Sequence, residues 1–302
     1  MSTSAHLNPM TRSRGRIAVL VSAVAALLAG WTPAAAQSSA APRCTPGQVV
    51  RVPDLIEGSG VAAGRGGRIW AHNDSGQGGL IALEERGSVT ARVALPGVKI
   101  DDWEALAAGP CPSGTCLFVG DIGDNDGERR QITIYRFPEP EGSAAVKTAD
   151  VFRLSYPDQP QDAETLLVTP KGDIYIVTKG DTAAIALYRV PRDAKPGTST
   201  KLERIGKPRG SGTASADDRI TDGAVSPDGA WVVLRTTSAL SFHAAADLFS
   251  GNWSARGRVD LGSLKEPQGE GVTFGDASTV YLVGEGGGKK QPGTFARLTC
   301  TF

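Results

Sequence analysis

The chain is poor in the side chains that metal centres and nucleophilic sites use most. Its 302 residues include three histidines, four cysteines and two methionines, and aromatic residues make up 6%. With His6 in the leader described below, only His72 and His243 remain for a site. No H-E-x-x-H stretch is present, which excludes a zincin centre, and no G-x-S-x-G stretch offers a nucleophile elbow. Ser75 follows His72 closely, but neighbours along a strand face opposite sides or stand at different heights, so they do not form a triad. Net charge is also missing, with 32 basic and 32 acidic residues. A generic nucleic-acid binder needs a basic face, and none is apparent.

The one long apolar run is Ile17 to Leu28. Arg12, Arg14 and Arg16 precede it and Ala34-Ala35-Ala36 follows, the pattern of a secretory signal at 1–36. The run is short of the roughly 20 residues of a spanning helix. The expectation is therefore a single domain over 37–302, periplasmic or extracellular, with no membrane insertion. Removing three arginines from 32 basic residues leaves 29 against 32 acidic, a charge of −3. Nothing in the pattern calls for more than a monomer.

Disulfides persist in such a compartment. Four cysteines allow three pairings. Cys111 and Cys116 bracket Pro-Ser-Gly-Thr, a turn-forming tetrapeptide, and are expected to staple a hairpin. Cys44 and Cys300 would then join the two ends of the mature chain.

What the sequence has in quantity is a repeat. Glu164-Thr-Leu-Leu-Val-Thr-Pro-Lys-Gly-Asp-Ile-Tyr-Ile-Val-Thr-Lys-Gly180 aligns without a gap on Glu270 to Gly286. Ser59 to Ser75 fits the same strand–turn–strand frame, Asp222 to Thr236 fits after one deletion, and Glu104 to Asp121 fits with a longer, Cys-bounded turn. An arginine followed by Val, Leu or Ile recurs upstream of each copy, at Arg51, Arg92, Arg153, Arg204 and Arg258. Five copies of both markers at roughly 45–60 residues predict an all-β fold, a β-propeller of about five four-stranded blades. The copies mark the innermost strands and the arginines the outermost. Arg51 precedes the first copy, and the last copy lacks an outer strand. The N-terminal strand is thus expected to close the last blade, with Cys44–Cys300 across the seam.

The repeat also locates a candidate site. The position that opens each innermost strand holds Glu104, Glu164, Asp222 and Glu270, with Ser59 in the first copy. The end of the second strand returns to the same mouth of the channel. It brings His72, Asn73, Asp74, Asp121, Asp124, Asn125, Lys179, Arg235 and Glu285. Clustered carboxylates raise one another's pKa or require counter-charge. The counter-charge would be a hard cation such as Ca²⁺ or Mg²⁺, which oxygen ligands favour, or the inserted Lys179 and Arg235. Alternatively each acid caps a strand or bonds the next blade's amides. Asp121 to Glu128 lacks the EF-hand glycine and reads as a tight turn. Gly284-Glu-Gly-Gly-Gly-Lys289 is one residue short of a phosphate loop.

The order Trp70-Ala-His-Asn-Asp-Ser-Gly76, Asp102-Trp-Glu-Ala-Leu-Ala107, Gly120-Asp-Ile-Gly-Asp-Asn125, Asp162-Ala-Glu164, Ser226-Pro-Asp-Gly229 and Glu266-Pro-Gln-Gly-Glu270 resembles a group of secreted bacterial propeller proteins. More distantly the chain is similar to phytase-like and gluconolactonase-like propellers. That resemblance implies a divalent cation, Ca²⁺ foremost, held by acids at the channel mouth, and hydrolysis of phosphoesters or lactones. Glu104, Glu164, Asp222 and Glu270 are the matching positions by topology, and Ser59 departs from the pattern. Three functions follow as expectations: a binding propeller for a divalent cation or small polar ligand, a metal-dependent hydrolase at the same mouth, or a propeller that binds another protein without metal.

Overall fold

The computed structural model describes residues 41–302 except 77, 113, 209, 211 and 289, so the leader expected at 1–36 lies outside the described residues. Short runs of β-branched and aliphatic residues, broken by Gly, Pro and Asp, favour strands throughout. They assemble into five sheets, the blades of a β-propeller.

The chain opens with β1 (Arg43–Val52). The first blade is β2 (Gly58–Ala63), β3 (Ile69–Asn73), β4 (Gly79–Leu83) and β5 (Val89–Ala94). The second is β6 (Trp103–Cys111), β7 (Gly114–Asp121), β8 (Ile132–Pro138) and β9 (Asp150–Ser155). The third starts with β10 (Ala163–Val168), β11 (Ile174–Thr178) and β12 (Leu187–Arg189). The chain then leaves it for β13 (Ser199–Lys201), which runs parallel to β9, before β14 (Glu203–Gly206) completes the blade. The fourth is β15 (Asp222–Val225), β16 (Trp231–Arg235), β17 (Ala239–Ala244) and β18 (Ala255–Asp260), with a helix, α1 (Ala245–Phe249), after β17. The fifth is β19 (Gln268–Phe274), β20 (Thr279–Glu285) and β21 (Gly293–Thr301), with β1 outermost.

The inner strands thus begin at or within two residues of the repeat positions, and the five marker arginines lie on the fourth strand of each blade, which is the outermost except at β9, where β13 adds a fifth. Two features escaped the pattern. The helix α1 has five residues, too few to show a period. The strand β13 covers the outer edge of β9, where unpaired amides and carbonyls would otherwise face solvent. Gly197 N–H donates to the Val151 carbonyl at 2.8 Å and Leu202 N–H to that of Ser155 at 2.9 Å, on either side of it.

Each seam between neighbouring blades holds its own apolar cluster. Trp70 and Trp103 meet between the first and second blades, and Phe118 and Tyr188 between the second and third. Val177 and Leu234 pack between the third and fourth, Phe242 and Leu282 between the fourth and fifth, and Val61 and Tyr281 between the fifth and first. Strands with both faces in such seams read as continuous apolar runs rather than alternating ones, as in the fully buried β11. Around the axis the inner strands crowd closely. A Cβ on Gly271 would run into the Ser59 carbonyl oxygen of the next blade.

Cys44 stands opposite Cys300 in the β1–β21 ladder and is bonded to it; Cys111 and Cys116 are bonded across the β6–β7 hairpin. Two disulfides fit an oxidising compartment. Among the described residues no helix is long and apolar enough to cross a membrane. Because the first bond spans 256 residues, the double variant C44S/C300S should lose about 2–5 kcal/mol of stability in urea unfolding, against about 2 kcal/mol or less for C111S/C116S. Equal losses would show that loop length does not govern the effect.

Candidate functional site

The ladder between the two inner strands is interrupted near one end in four of the five blades. Register shifts fall between Gly58 and Val61, Trp103 and Ala105, Ala163 and Thr165, and Gly269 and Val272. Ser59, Glu104, Glu164 and Glu270 sit within those bulges. A bulge leaves a residue out of the ladder and re-aims its side chain. In the fourth blade the ladder is regular, with Asp222 opposite Arg235 and Gly223 opposite Leu234.

The bulged residues line one cavity of about 180 Å³, together with Asp74, Asn125, Lys179, Gln268 and Glu285. Every blade but the fourth contributes. Ser59 Oγ donates to the Glu104 carbonyl at 2.8 Å and reaches its carboxylate at 3.2 Å. Gln268 Nε2 donates to Glu270 Oε1 and to Glu285 Oε1, both at 2.7 Å. Lys179 Nζ contacts Glu164 Oε1 and lies 3.6 Å from Asp162 Oδ2. A second cavity, of about 420 Å³, lies at the far ends of the same strands and is lined by groups such as Ala107, Gly109, Val168 and Phe274. Of these two cavities only the first is lined by charged side chains.

Six of the expected site residues do other work. Asp222 is buried, and its Oδ2 accepts from Val272 N–H of the next blade at 2.8 Å. Arg235 is fully buried; it pairs with Glu266 at 2.5 Å and donates to the carbonyls of Gly271 and Val283, tying the fourth blade to the fifth. Asp121 accepts from the amides of Asp101 and Asp102 and pairs with Arg129 at 2.6 Å. Asp124 accepts from the amides of Glu128 and Arg129, which makes this stretch a self-bonded turn. Asn73 accepts from Glu57 N–H and donates to the Asp54 carbonyl. His72 packs edge-on against Trp103 at 5.5 Å, and burial pulls its pKa down to about 4. It is a neutral core histidine rather than a ligand at the mouth.

The sequence reading missed Gln268 and Asp102. Gln268 lies two residues before Glu270 on β19, and period 2 along a strand was the available signal. Asp102 hydrogen-bonds Glu104, and burial lifts its pKa. Nothing in the repeat marks it.

No family model matches the chain and no curated protein matches it in sequence. Solved structures do. A PQQ-bound aldose sugar dehydrogenase from Streptomyces coelicolor is similar at 12% identity over 86% of this chain and 99% of that one, with a TM-score of 0.53. A gluconolactonase from Xanthomonas campestris matches at 12% identity over 86% and 96%, with a TM-score of 0.45. A virginiamycin B lyase from Staphylococcus aureus matches at 12% over 80% and 68%, with a TM-score of 0.40. The likeness is one of fold.

The mouth is electrostatically crowded. Burial pushes Glu104 well above the carboxylate range, and the charges of Glu164 and Asp102 add to it. Burial and then Glu270 do the same to Glu164, against the pull of Lys179. Burial lifts Glu270 to about 7, opposed by the hydrogen bond from Gln268. Asp74 also reaches about 7, through burial and then Glu57, Glu285 and Asp102. For Lys179 burial lowers the pKa, but Glu164 and Asp162 more than restore it, so the ammonium stays charged. An amine nucleophile requires a shift in the opposite direction.

Raised carboxyl pKa values make folding take up protons. The unfolded chain releases them near pH 4, the folded mouth only near 7 for Glu270 and Asp74. Their contribution therefore falls as pH rises across that interval. His72 acts in the opposite sense, but only between about 4 and its ordinary 6.5. Between pH 6.5 and 8 the thermal midpoint in chelator should fall, and fall less in E270Q. A flat or rising midpoint in the wild type would contradict the assignment.

Proposed function

We propose that the protein is an exported binding propeller whose acidic mouth receives a small polar ligand with an ammonium-type cationic head. The observation that carries the reading is the convergence of Glu104, Glu164, Glu270, Asp74 and Glu285, from four blades, on one cavity with a single lysine. Gln268, Asn125 and Ser59 add groups that can orient a guest. At about 180 Å³ the cavity is smaller than the roughly 300–1,000 Å³ of sites for drug-sized molecules. The guest is therefore of few heavy atoms.

The all-oxygen donor set has the chemistry of a Ca²⁺ or Mg²⁺ site. The arrangement does not fit one. Among the described residues no three His, Cys, Asp or Glu side chains stand close enough together to hold a metal ion. Ca²⁺ takes about six to eight oxygens at roughly 2.3–2.6 Å. We therefore route no chemistry through a metal and read the mouth as a receptor for an organic cation.

Calorimetric titration with methylammonium chloride at low ionic strength tests this, with CaCl₂ in parallel. Saturable methylammonium binding should strengthen as pH rises through 7, where Glu270 ionises. E270Q should weaken it about tenfold, a loss of about 1.4 kcal/mol. Calcium binding without methylammonium binding would restore the metal reading. Methylammonium binding unaffected by E270Q would place the guest elsewhere.

A further inference from the structure

Resemblance by topology calls for a divalent cation at this mouth, and the side chains do not form a cage for one. The reason lies in one residue. At the end of the second strand the blades present Asp74, Asp121, Lys179, Arg235 and Glu285. Arg235 is committed to Glu266 inside the fourth-to-fifth seam. That leaves Lys179 as the one cationic side chain among the residues that line the cavity.

Its position is held by the backbone. Lys179 N–H donates to the Asp162 carbonyl at 2.9 Å, and Ile220 N–H donates to the Lys179 carbonyl at 3.0 Å. The side chain is therefore launched from a point fixed on both sides and ends against Glu164 Oε1. The carboxylate of Asp162 is 1% exposed, and its Oδ2 accepts no hydrogen bond. That oxygen lies 3.6 Å from Nζ, within ion-pair range. Asp162 and Glu164 are two residues apart across the start of β10. The ammonium is within ion-pair range of both carboxylates, and Glu164 and Lys179 both line the cavity.

We infer that Lys179 is the mouth's own cation, tethered where a divalent ion would need to sit, and that it sets the site's preference for singly charged organic guests over metals. The inference rests on reading the mouth as a cation receptor. A metal would have to expel an ammonium that is only 19% exposed, or share two carboxylates with it. Either way it meets like-charge repulsion where solvent screening is weak. Lys179 pairs with Asp162 and Glu164, which leaves Glu270, Glu285 and Asp74 in the lining without an ion-pair partner among the described residues, open to a methylammonium guest.

The test is titration of CaCl₂ and of methylammonium chloride into wild type, K179M and K179R at pH 8, with far-UV circular dichroism to establish the fold of each. Wild type and K179R should show no saturable calcium binding. K179M should bind calcium with a Kd in the millimolar range or tighter, about 10⁻⁴–10⁻³ M being usual for extracellular modules. Adding E164Q to K179M should abolish that binding. Folded K179M that takes methylammonium but no calcium would overturn the assignment of Lys179 and leave the receptor reading standing. Calcium binding by wild type as tight as by K179M would also overturn it. Loss of methylammonium binding in all three proteins would sink the receptor reading, and the calcium affinity of K179M relative to wild type would still decide the role of the lysine.

Discussion

The mouth depends on a backbone irregularity. A strand in regular register sends alternate side chains into the two seams that flank its blade, and a carboxylate at the start of such a strand is buried between blades. One extra residue in the ladder turns it toward the axis instead. Glu104, Glu164 and Glu270 occupy that extra position and reach the cavity. Asp222 occupies the equivalent position of the repeat in a blade without the bulge, and it serves as an acceptor for the next blade's amide. The same residue type at the same place thus does two jobs, and the register decides which.

Gathering acids at a narrow axis has a cost in desolvation and repulsion. The structure meets it in three ways. Protons remain on carboxyls whose pKa values rise, Gln268 spans Glu270 and Glu285, and Lys179 supplies a permanent charge. Arg235, the other cation expected at the mouth, is paired with Glu266 inside the fourth-to-fifth seam and is not among the residues that line the cavity. The proposed binding role draws on this balance, because five carboxyls line the cavity with one cationic side chain among them.

Much of the fold was legible in the sequence because propeller blades repeat their local chemistry. The strand–turn–strand copies and the Arg-plus-aliphatic marker each recur once per blade, so the starts of the inner strands near 59, 104, 164, 222 and 270 could be read from one alignment of the chain on itself. The short β13 and α1 could not, since three and five residues carry no period. At the site, the repeat gave the acidic positions but not their directions. Residue type does not mark the bulge at Glu104 or Glu270, and its one trace is length: the Asp222 copy aligns only after a one-residue deletion, and its ladder is the regular one. His72 and Arg235 looked like site residues because they are polar and adjacent to site residues. Their burial, against Trp103 and Glu266, is a property of neighbours far away in sequence.

The central claim is that carboxyls from several blades share one desolvated mouth and compete for one resident cation. Site-resolved carbon NMR titration of the Asp and Glu carboxyl groups measures this directly. The account predicts midpoints near pH 7 for Glu270 and Asp74, with that of Glu270 rising when Lys179 is replaced by Met. Midpoints near 4 for both residues, the ordinary carboxylate value, would contradict it.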